Sequence, residues 1–254
     1  MKQRQYSHQW FHIVMGGLLW LLPIALVIAE TPDAAELLTE VDKHRLGWES
    51  VEIEVEIITT APKDKQTVKR YLVKVNGKEH SLVKFLNPEE QGQYLLMRKE
   101  GLWMYFPNTR RAIRITPLQR LTGNTSNGDI ANLPLSGNYT PKIQGQDNLN
   151  KVTSWVLELT ALSEVATYPK IKMWVRQDDH TPIQAEYYLA SGKLMKNVKF
   201  TAYEEQEGLL VLKAMQFRVP HKPGEVSEMR FTQIKPKEFP DYWFQKNYLP
   251  RLPK

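Results

Sequence analysis

The chain has 254 residues, a formal net charge of +6 and no cysteine. The absence of cysteine excludes disulfides, thiol catalysis, cysteine-bound metals and a lipid-attachment cysteine. The positive charge is too small and too dispersed to indicate nucleic-acid binding, although it allows mild attraction to an anionic membrane surface.

The first 29 residues have the pattern of a secretory signal peptide. Two basic residues precede an apolar run over 13–29, which ends in Val27-Ile28-Ala29 before Glu30. This order of charge, apolar core and cleavage site predicts export and removal of residues 1–29. A retained membrane anchor is the alternative, because the run lies at the short end of the ~17–25 residues that span a bilayer. We therefore expect a periplasmic protein with a single domain over 30–254.

The predicted mature chain begins with an amphipathic helix over 32–46. Thr31 is a candidate N-cap, Pro32 suits the first helical position, and Asp33 complements the helix dipole. Gly47 is expected to end the helix. Its apolar stripe consists of Leu37, Leu38, Val41 and Leu46. A helix with one such stripe must lie against another element.

From residue 51 the hydrophobic period changes to two. Four aliphatic residues at 51, 53, 55 and 57 alternate with glutamates, which places all the apolar side chains on one face of a strand. A second alternating run over 68–75 leads to the hairpin signal Asn76-Gly77. Similar short runs recur at about 82–86, 93–98, 102–106, 111–116, 138–144, 152–160, 168–176, 183–190, 194–203, 209–219 and 226–235. This spacing predicts a largely antiparallel meander.

Two stretches break the β pattern. Residues 117–134 have the composition of turns and of a mobile loop that covers something, although Pro117–Leu121 is compatible with a short helix. The C-terminal stretch over 239–250 is rich in aromatic residues and proline, and we expect it to dock against the body of the domain.

Motifs of enzymatic chemistry are missing from the sequence. The six histidines include no pair at metal-ligand spacing, and there is no Gly-x-Ser-x-Gly or phosphate-binding loop. Asp178-Asp179-His180 precedes a Thr-Pro turn, which favours a hairpin tip over a catalytic cluster. We predict a protein that is not an enzyme and that holds no metal or cofactor. An envelope hydrolase is kept as an alternative.

Large apolar and aromatic side chains are concentrated on the predicted strands. They either fill an ordinary core or line the cavity of a strongly curved sheet, as in barrels that carry apolar ligands. The sequence leaves both open, because side-chain alternation does not tell which face of a strand is concave. The candidate cavity residues are Phe85, Leu86, Tyr94, Leu96, Trp103, Tyr105 and Phe106.

A basic run follows these residues. Arg110, Arg111 and Arg114 are candidates for contact with a lipid headgroup or an acidic partner, because a guanidinium group matches phosphate bidentately. The alternative is that they are solvated charges at the edge of a sheet.

Several segments occur in an order typical of a known family. They are Ser81–Pro88, Trp103-x-Tyr105-x-Pro107 with Arg111 and Arg114-Ile115 after it, Glu186-Tyr187-Tyr188 before Gly192, and the terminal stretch over 239–249. Together they resemble the LolA-like family of outer-membrane lipoprotein-sorting proteins. The chain departs from the family pattern over 123–133, where an aromatic pair is missing, so its cargo or partner is expected to differ.

The resemblance implies a mainly β (α+β) fold, an unclosed and strongly curved antiparallel β-barrel with a helical lid. The helix over 32–46 and the loop over 117–134 would be the lid elements. It also implies a periplasmic, monomeric carrier that binds lipids, lipoprotein acyl chains or other hydrophobic molecules for transport towards the outer membrane. An inner-membrane transporter and transient membrane contact are the partners implied. A lipid-responsive sensor or adaptor for such a transporter or regulator is the alternative.

Overall fold

The fold is described by a computed structural model over residues 31–131, 134–149 and 151–253. The predicted signal peptide lies outside the described residues. The helices are α1 (Ala34–Leu46) and α2 (Asn127–Ala131). The strands are β1 (Ser50–Ala61), β2 (Lys65–Asn76), β3 (His80–Phe85), β4 (Tyr94–Arg98), β5 (Gly101–Phe106), β6 (Arg111–Ile115), β7 (Arg120–Thr122), β8 (Thr125–Ser126), β9 (Tyr139–Leu149), β10 (Val152–Ala161), β11 (Lys170–Arg176), β12 (Pro182–Tyr188), β13 (Leu194–Gln206), β14 (Leu209–Arg218) and β15 (Val226–Pro236).

Thirteen of the described strands form one antiparallel sheet, and β7 pairs separately with β8. The order in the large sheet is β6-β5-β4-β3-β2-β1-β15-β14-β13-β12-β11-β10-β9. Two meanders, β1–β6 and β9–β15, are joined where β1 pairs with β15. The sheet curves without closing, because β6 and β9 are its edges. These features confirm the predicted mainly β, unclosed antiparallel barrel.

The inner face of the sheet, which carries α1, is apolar because the strands alternate. On β1 the aliphatic residues at 51, 53, 55 and 57 are buried, and the glutamates between them point to the opposite face. Register shifts interrupt the ladder, for example after Glu54 on β1 and after Val156 on β10. Such bulges bend a strand and increase its twist, which helps a long sheet to curl around its contents.

Helix α1 begins at Ala34, with Asp33 as its N-cap. The Asp33 carboxylate accepts hydrogen bonds from two amides of the first turn at 2.8 and 3.0 Å. The predicted cap at Thr31 is therefore wrong, because Asp33 is the residue whose side chain reaches the free amides. Gly47 ends the helix with φ 81°, as predicted. The apolar stripe packs against β14 and β9. Within the described ranges, no helix is long and apolar enough to cross a membrane.

Residues 117–131, which we call the plug, pack into the interior of the barrel. They form a turn, the β7–β8 hairpin and α2, which packs against β3 and β4. The short helix that the sequence allowed over Pro117–Leu121 is not formed, because residues 117–119 form a turn and the next two belong to β7. The plug is rich in turns and covers part of the interior, as predicted, and its residues 124–127 are almost completely buried.

The C-terminal segment over 239–252 covers the outer face of β3–β5, as the sequence predicted. Its residues Phe239, Phe244, Leu249 and Leu252 form a second hydrophobic cluster with apolar side chains of those strands. Arg98 on β4 donates a hydrogen bond to the Phe244 carbonyl oxygen at 2.9 Å. This sheet is therefore covered by apolar side chains on both faces over part of its width.

Candidate functional site

The interior of the barrel contains a polar network built around one ion pair. Lys196 on β13 and Asp129 on α2 lie with Nζ and Oδ2 2.5 Å apart, and each side chain is about 2% exposed. Lys196 Nζ also donates to Ser126 Oγ at 2.8 Å. Asp129 accepts further hydrogen bonds from the Tyr168 hydroxyl at 2.8 Å and from the Ser126 amide at 2.7 Å. A buried pair of this kind is kept only because its hydrogen-bonding groups are satisfied.

A second set of contacts holds the plug against β1 and β15. The Asn124 amide donates to Ser227 Oγ at 2.8 Å, and Ser227 Oγ lies 2.9 Å from Thr59 Oγ1. Gly123 has φ 49°, and a Cβ atom there would lie 2.1 Å from Thr59 Oγ1. Only glycine fits this close approach at a positive φ.

Helix α1 is tied to the segment that precedes β9. The Asp42 carboxylate accepts hydrogen bonds from the amides of Leu135 at 2.8 Å and Ser136 at 2.7 Å. It also pairs with Arg45 at 2.8 Å, and both side chains are buried. On the other side of the helix, His44 Nδ1 lies 2.6 Å from the Leu210 carbonyl oxygen of β14. The helix is therefore fixed by a few directional contacts in addition to its apolar stripe.

A cavity of about 60 Å³ lies between α1, the plug and the barrel wall. Its lining combines Arg45 and Asp129 with aromatic side chains, including Tyr139 and Tyr168, and with apolar residues such as Met215. Burial raises the pKa of Tyr139 to about 12, and burial beside Asp129 raises the pKa of Tyr168 well above its usual value. Both phenols therefore stay neutral at physiological pH. This volume is far below the ~300–1,000 Å³ of typical ligand pockets, so a long ligand requires an interior element to move.

A second cavity of about 160 Å³ opens beside the plug at β3, β5 and β6. Its lining includes Phe85, Met104 and Phe106 from the sheet, and Leu121 and Asn127 from the plug. Phe85 and Phe106, two of the candidate cavity residues, therefore do face an opening on the inner side of the sheet.

The other candidate cavity residues have different surroundings. Tyr94, Leu96 and Tyr105 alternate with inner-face residues, and they are buried on the outer face in the second hydrophobic cluster. Trp103 is on the same outer face, where the ammonium group of Lys246 lies 4.5 Å from the Trp103 ring centroid. Leu86 follows the end of β3 and is 44% exposed. The seven residues consequently do not share one surface.

The three candidate arginines lie at the free β6 edge of the sheet. Arg110 is in the β5–β6 turn, Arg111 and Arg114 are on β6, and all three are exposed. Arg114 Nη2 donates to the Glu100 carbonyl oxygen at 2.9 Å. They give this edge a positive charge. Their exposure is compatible with both alternatives, contact with a headgroup or an acidic partner and solvated charges at a sheet edge.

Sequence reasoning missed the interior polar residues. Asp42, Asp129 and Lys196 were not singled out, although Lys196 gives a detectable signal. On β13 the buried, inward positions are 196, 198 and 200, and the last two are Val and Phe. A lysine in that inward register marks a cation that needs a buried partner. The identity of that partner depends on a contact over 67 residues of sequence, which no local pattern contains.

The network does not resemble a catalytic Ser–Lys pair despite the contact between Ser126 and Lys196. A general-base lysine must be neutral, whereas Lys196 is ion-paired with Asp129. No cluster of histidine, aspartate and glutamate in the described part of the chain is suited to hold a metal ion. The arrangement instead holds a polar insert in place inside an apolar barrel.

The described residues thus form an open antiparallel barrel whose interior is filled by a helix and a polar insert. The chain belongs to the LolA superfamily: it is 33% identical to a LolA superfamily protein from Nitrosomonas europaea, with a TM-score of 0.80 over 86% of this chain and 100% of that chain. A family model described as that of an uncharacterized protein matches residues 77–251. No curated protein matches the sequence.

Two further solved structures share the fold at lower identity. A DUF1329 family protein from Desulfovibrio piger is 22% identical, with a TM-score of 0.69 over 85% of this chain and 97% of that chain. A domain named for outer membrane lipoprotein sorting, from Vibrio parahaemolyticus, is 19% identical, with a TM-score of 0.70 over 86% of this chain and 98% of that chain. Both structures thus share the fold of this chain.

Proposed function

We propose that this protein is a periplasmic carrier that binds lipids, lipoprotein acyl chains or other hydrophobic molecules inside the barrel. Residues 1–29 would direct its export, and residues 30–254 would form the carrier domain. The cargo would be handed on towards the outer membrane, with an inner-membrane transporter as the donor. No chemical change of the cargo is needed for this role.

The observation that supports the proposal most strongly is the way in which the interior is filled. The apolar inner face of the sheet is covered by α1 and the plug, and neither of them pairs with a strand of the large sheet. Both can leave without breaking the backbone ladder of the barrel. An acyl chain in their place would cover the same apolar surface.

The energies are compatible with reversible binding. Burial of a methylene group away from water stabilises by about 0.8 kcal/mol, so a chain of about 15 methylenes gains about 12 kcal/mol. Breaking a buried ion pair such as Lys196–Asp129 costs about 3–5 kcal/mol. A bilayer already provides the same apolar burial, so extraction from a membrane would be near balance. The free-energy cost of displacing the plug then decides whether the cargo moves from the membrane into the barrel or back. Contact with a membrane protein would offset that cost.

Different roles follow for the two groups of candidate residues. We assign Phe85 and Phe106, at the opening beside the plug, to contact with the cargo. We assign Tyr94, Leu96 and Tyr105 to the attachment of the C-terminal segment. The basic edge formed by Arg110, Arg111 and Arg114 would contact anionic headgroups or an acidic partner during transfer, because guanidinium groups bind phosphate and carboxylate well.

Native mass spectrometry of the protein purified from its own periplasm, followed by organic extraction, tests the proposal. We expect lipid or lipoprotein at a ratio near one to one. Protein that carries nothing and also fails to take up a fluorescent fatty acid would contradict a carrier role. Adjacent residues of β5 provide matched variants: Met104→Trp fills the inner opening and should reduce uptake, whereas Tyr105→Trp on the outer face should not.

A further inference from the structure

Lys196 is an interior cation whose hydrogen-bonding partners all belong to the plug. Ser126 Oγ and Asp129 Oδ2 accept from its ammonium group at 2.8 and 2.5 Å. Among the described residues, the barrel wall contributes only ring faces, with the centroids of Tyr168 and Phe217 at 5.5 and 5.7 Å from Nζ. When the plug leaves, Lys196 keeps its aromatic surroundings and loses both of its oxygen partners.

Displacement by a neutral ligand is therefore unfavourable at this position. An ammonium group buried without an acceptor or a counter-charge carries a large desolvation cost, and aromatic faces compensate only part of it. An acidic ligand that brings its own oxygen atoms removes this cost. The barrel wall therefore favours an anionic group at the position that the Asp129 carboxylate occupies.

The wall also offers a second donor for such an anion. The Tyr168 hydroxyl donates to Asp129 Oδ1 at 2.8 Å and belongs to the loop that leads into β11, outside the plug. Lys196 and Tyr168 thus form a two-donor cradle that persists without the plug. The small cavity beside Asp129 continues from this cradle along Met97, Ile171 and Met215, which are apolar. A ligand with an acidic head group and an apolar tail fits this arrangement of a polar cradle followed by an apolar cavity.

We propose that Lys196 and Tyr168 form a receptor for the acid group of an acyl amphiphile, and that the Asp129 carboxylate occupies this receptor in the absence of cargo. The proposal rests on the proposed function, because it assumes that acyl chains enter the barrel. The shared ligand chemistry is an anionic carboxylate or phosphate attached to an acyl chain. Asp129 then acts as an internal competitor that only a ligand with its own negative charge replaces efficiently.

Three ligands with the same acyl chain test this receptor by calorimetric titration of the mature protein: palmitate, palmitoyl lysophosphatidic acid and neutral monopalmitoylglycerol. We expect at least one acidic ligand to bind at least tenfold more tightly than the neutral one, and the tighter of the two acids identifies a carboxylate or a phosphate as the natural head. Asp129→Asn deprives Lys196 of its counter-ion before any ligand enters, so it should tighten binding of all three ligands and keep the preference for the acids.

The double variant Lys196→Met/Asp129→Leu removes both charges together, so that the fold keeps no unpaired buried ion. It should bind all three ligands with similar affinity. Lys170→Met, which removes a wall lysine whose pair with Glu158 is exposed, serves as the matched control and should keep the preference for acids. Equal binding of acids and neutral ligand by the unmodified protein, or an acid preference that survives in the double variant, would overturn the receptor while leaving a carrier intact. If none of the three ligands binds, the carrier function itself fails together with the receptor.

Discussion

Removal of one partner of the interior ion pair should destabilise the protein much more than removal of both. Lys196→Met leaves the Asp129 carboxylate buried without its counter-ion, a change that typically costs about 3–5 kcal/mol. The Tyr168 hydroxyl and the Ser126 amide still donate to that carboxylate, so we expect a loss of about 3 kcal/mol. Asp129→Asn should cost a similar amount, because the amide oxygen can still accept from Lys196 but no longer neutralises its charge.

The assay is urea unfolding of the mature protein, followed by the fluorescence of the five tryptophans that lie after residue 29. The midpoint should fall in both single variants at an unchanged slope, and the corresponding loss in melting temperature is about 6–12 °C for a domain of this size. The double variant Lys196→Met/Asp129→Leu should recover most of the loss, since apolar replacement of a buried pair is often neutral or stabilising. Lys170→Met should change stability by less than about 1 kcal/mol, because its pair is exposed. Additive effects in the double variant would refute the idea that the pair is buried and coupled.

Three further perturbations probe the contacts that hold the interior elements. Asp42→Asn weakens the hydrogen bonds that attach α1 to the segment before β9, and it should accelerate uptake of a fluorescent fatty acid in stopped-flow mixing. Glu40→Gln, on the exposed side of the same helix, should leave the rate unchanged. Equal uptake rates in the two variants would contradict a role of these hydrogen bonds. Gly123→Ala should lower the free energy of unfolding in urea by at least about 2 kcal/mol more than Gly192→Ala, because both positions have positive φ but only the first places a Cβ against neighbouring side chains. Similar losses in the two variants would leave backbone strain as the cause. The pKa of Tyr139 is raised to about 12 by burial, so the unfolded chain releases a proton above pH 10 that the folded chain retains. The stabilisation is complete below pH 10, and the free energy of unfolding should fall between pH 10 and 12. Tyr139→Phe should make this fall with pH less steep. An equally steep fall in the variant would show that this phenol ionises freely in the folded state.

Local patterns in the sequence predicted the sheet well and the interior poorly. The alternation on β1 and the Asn76-Gly77 turn gave strands and a hairpin that the structure confirms, since both depend on neighbours along the chain. Burial of the aromatic residues on β4 and β5 was equally visible in the sequence. Their division between two faces was not, because the outer face is covered by residues 239–252, more than 130 positions away.

The plug was the hardest part to predict because its composition is typical of an exposed loop. Asn124, Ser126 and Asp129 are polar residues that usually face water. They are buried here because each finds a distant partner: Ser227 for the Asn124 amide, Lys196 for Ser126 and Asp129. Such pairing is a property of the tertiary fold, so composition alone did not show that these polar residues are buried.

For a barrel that exchanges its plug for a ligand, as proposed above, a polar plug also has an advantage over an apolar one. An apolar insert and an acyl chain would compete for the same surface through contacts of the same kind, and the outcome would depend only on their relative areas. The plug instead holds its place through a small number of directional bonds, centred on Lys196 and Asp129, that become costly only when they are broken singly. In the receptor proposed above, an incoming anion would match the charge of Lys196, the remaining contacts would lose their support, and the whole segment would leave together. Selectivity for the head of the ligand and reversible opening of the barrel would then have a common physical origin.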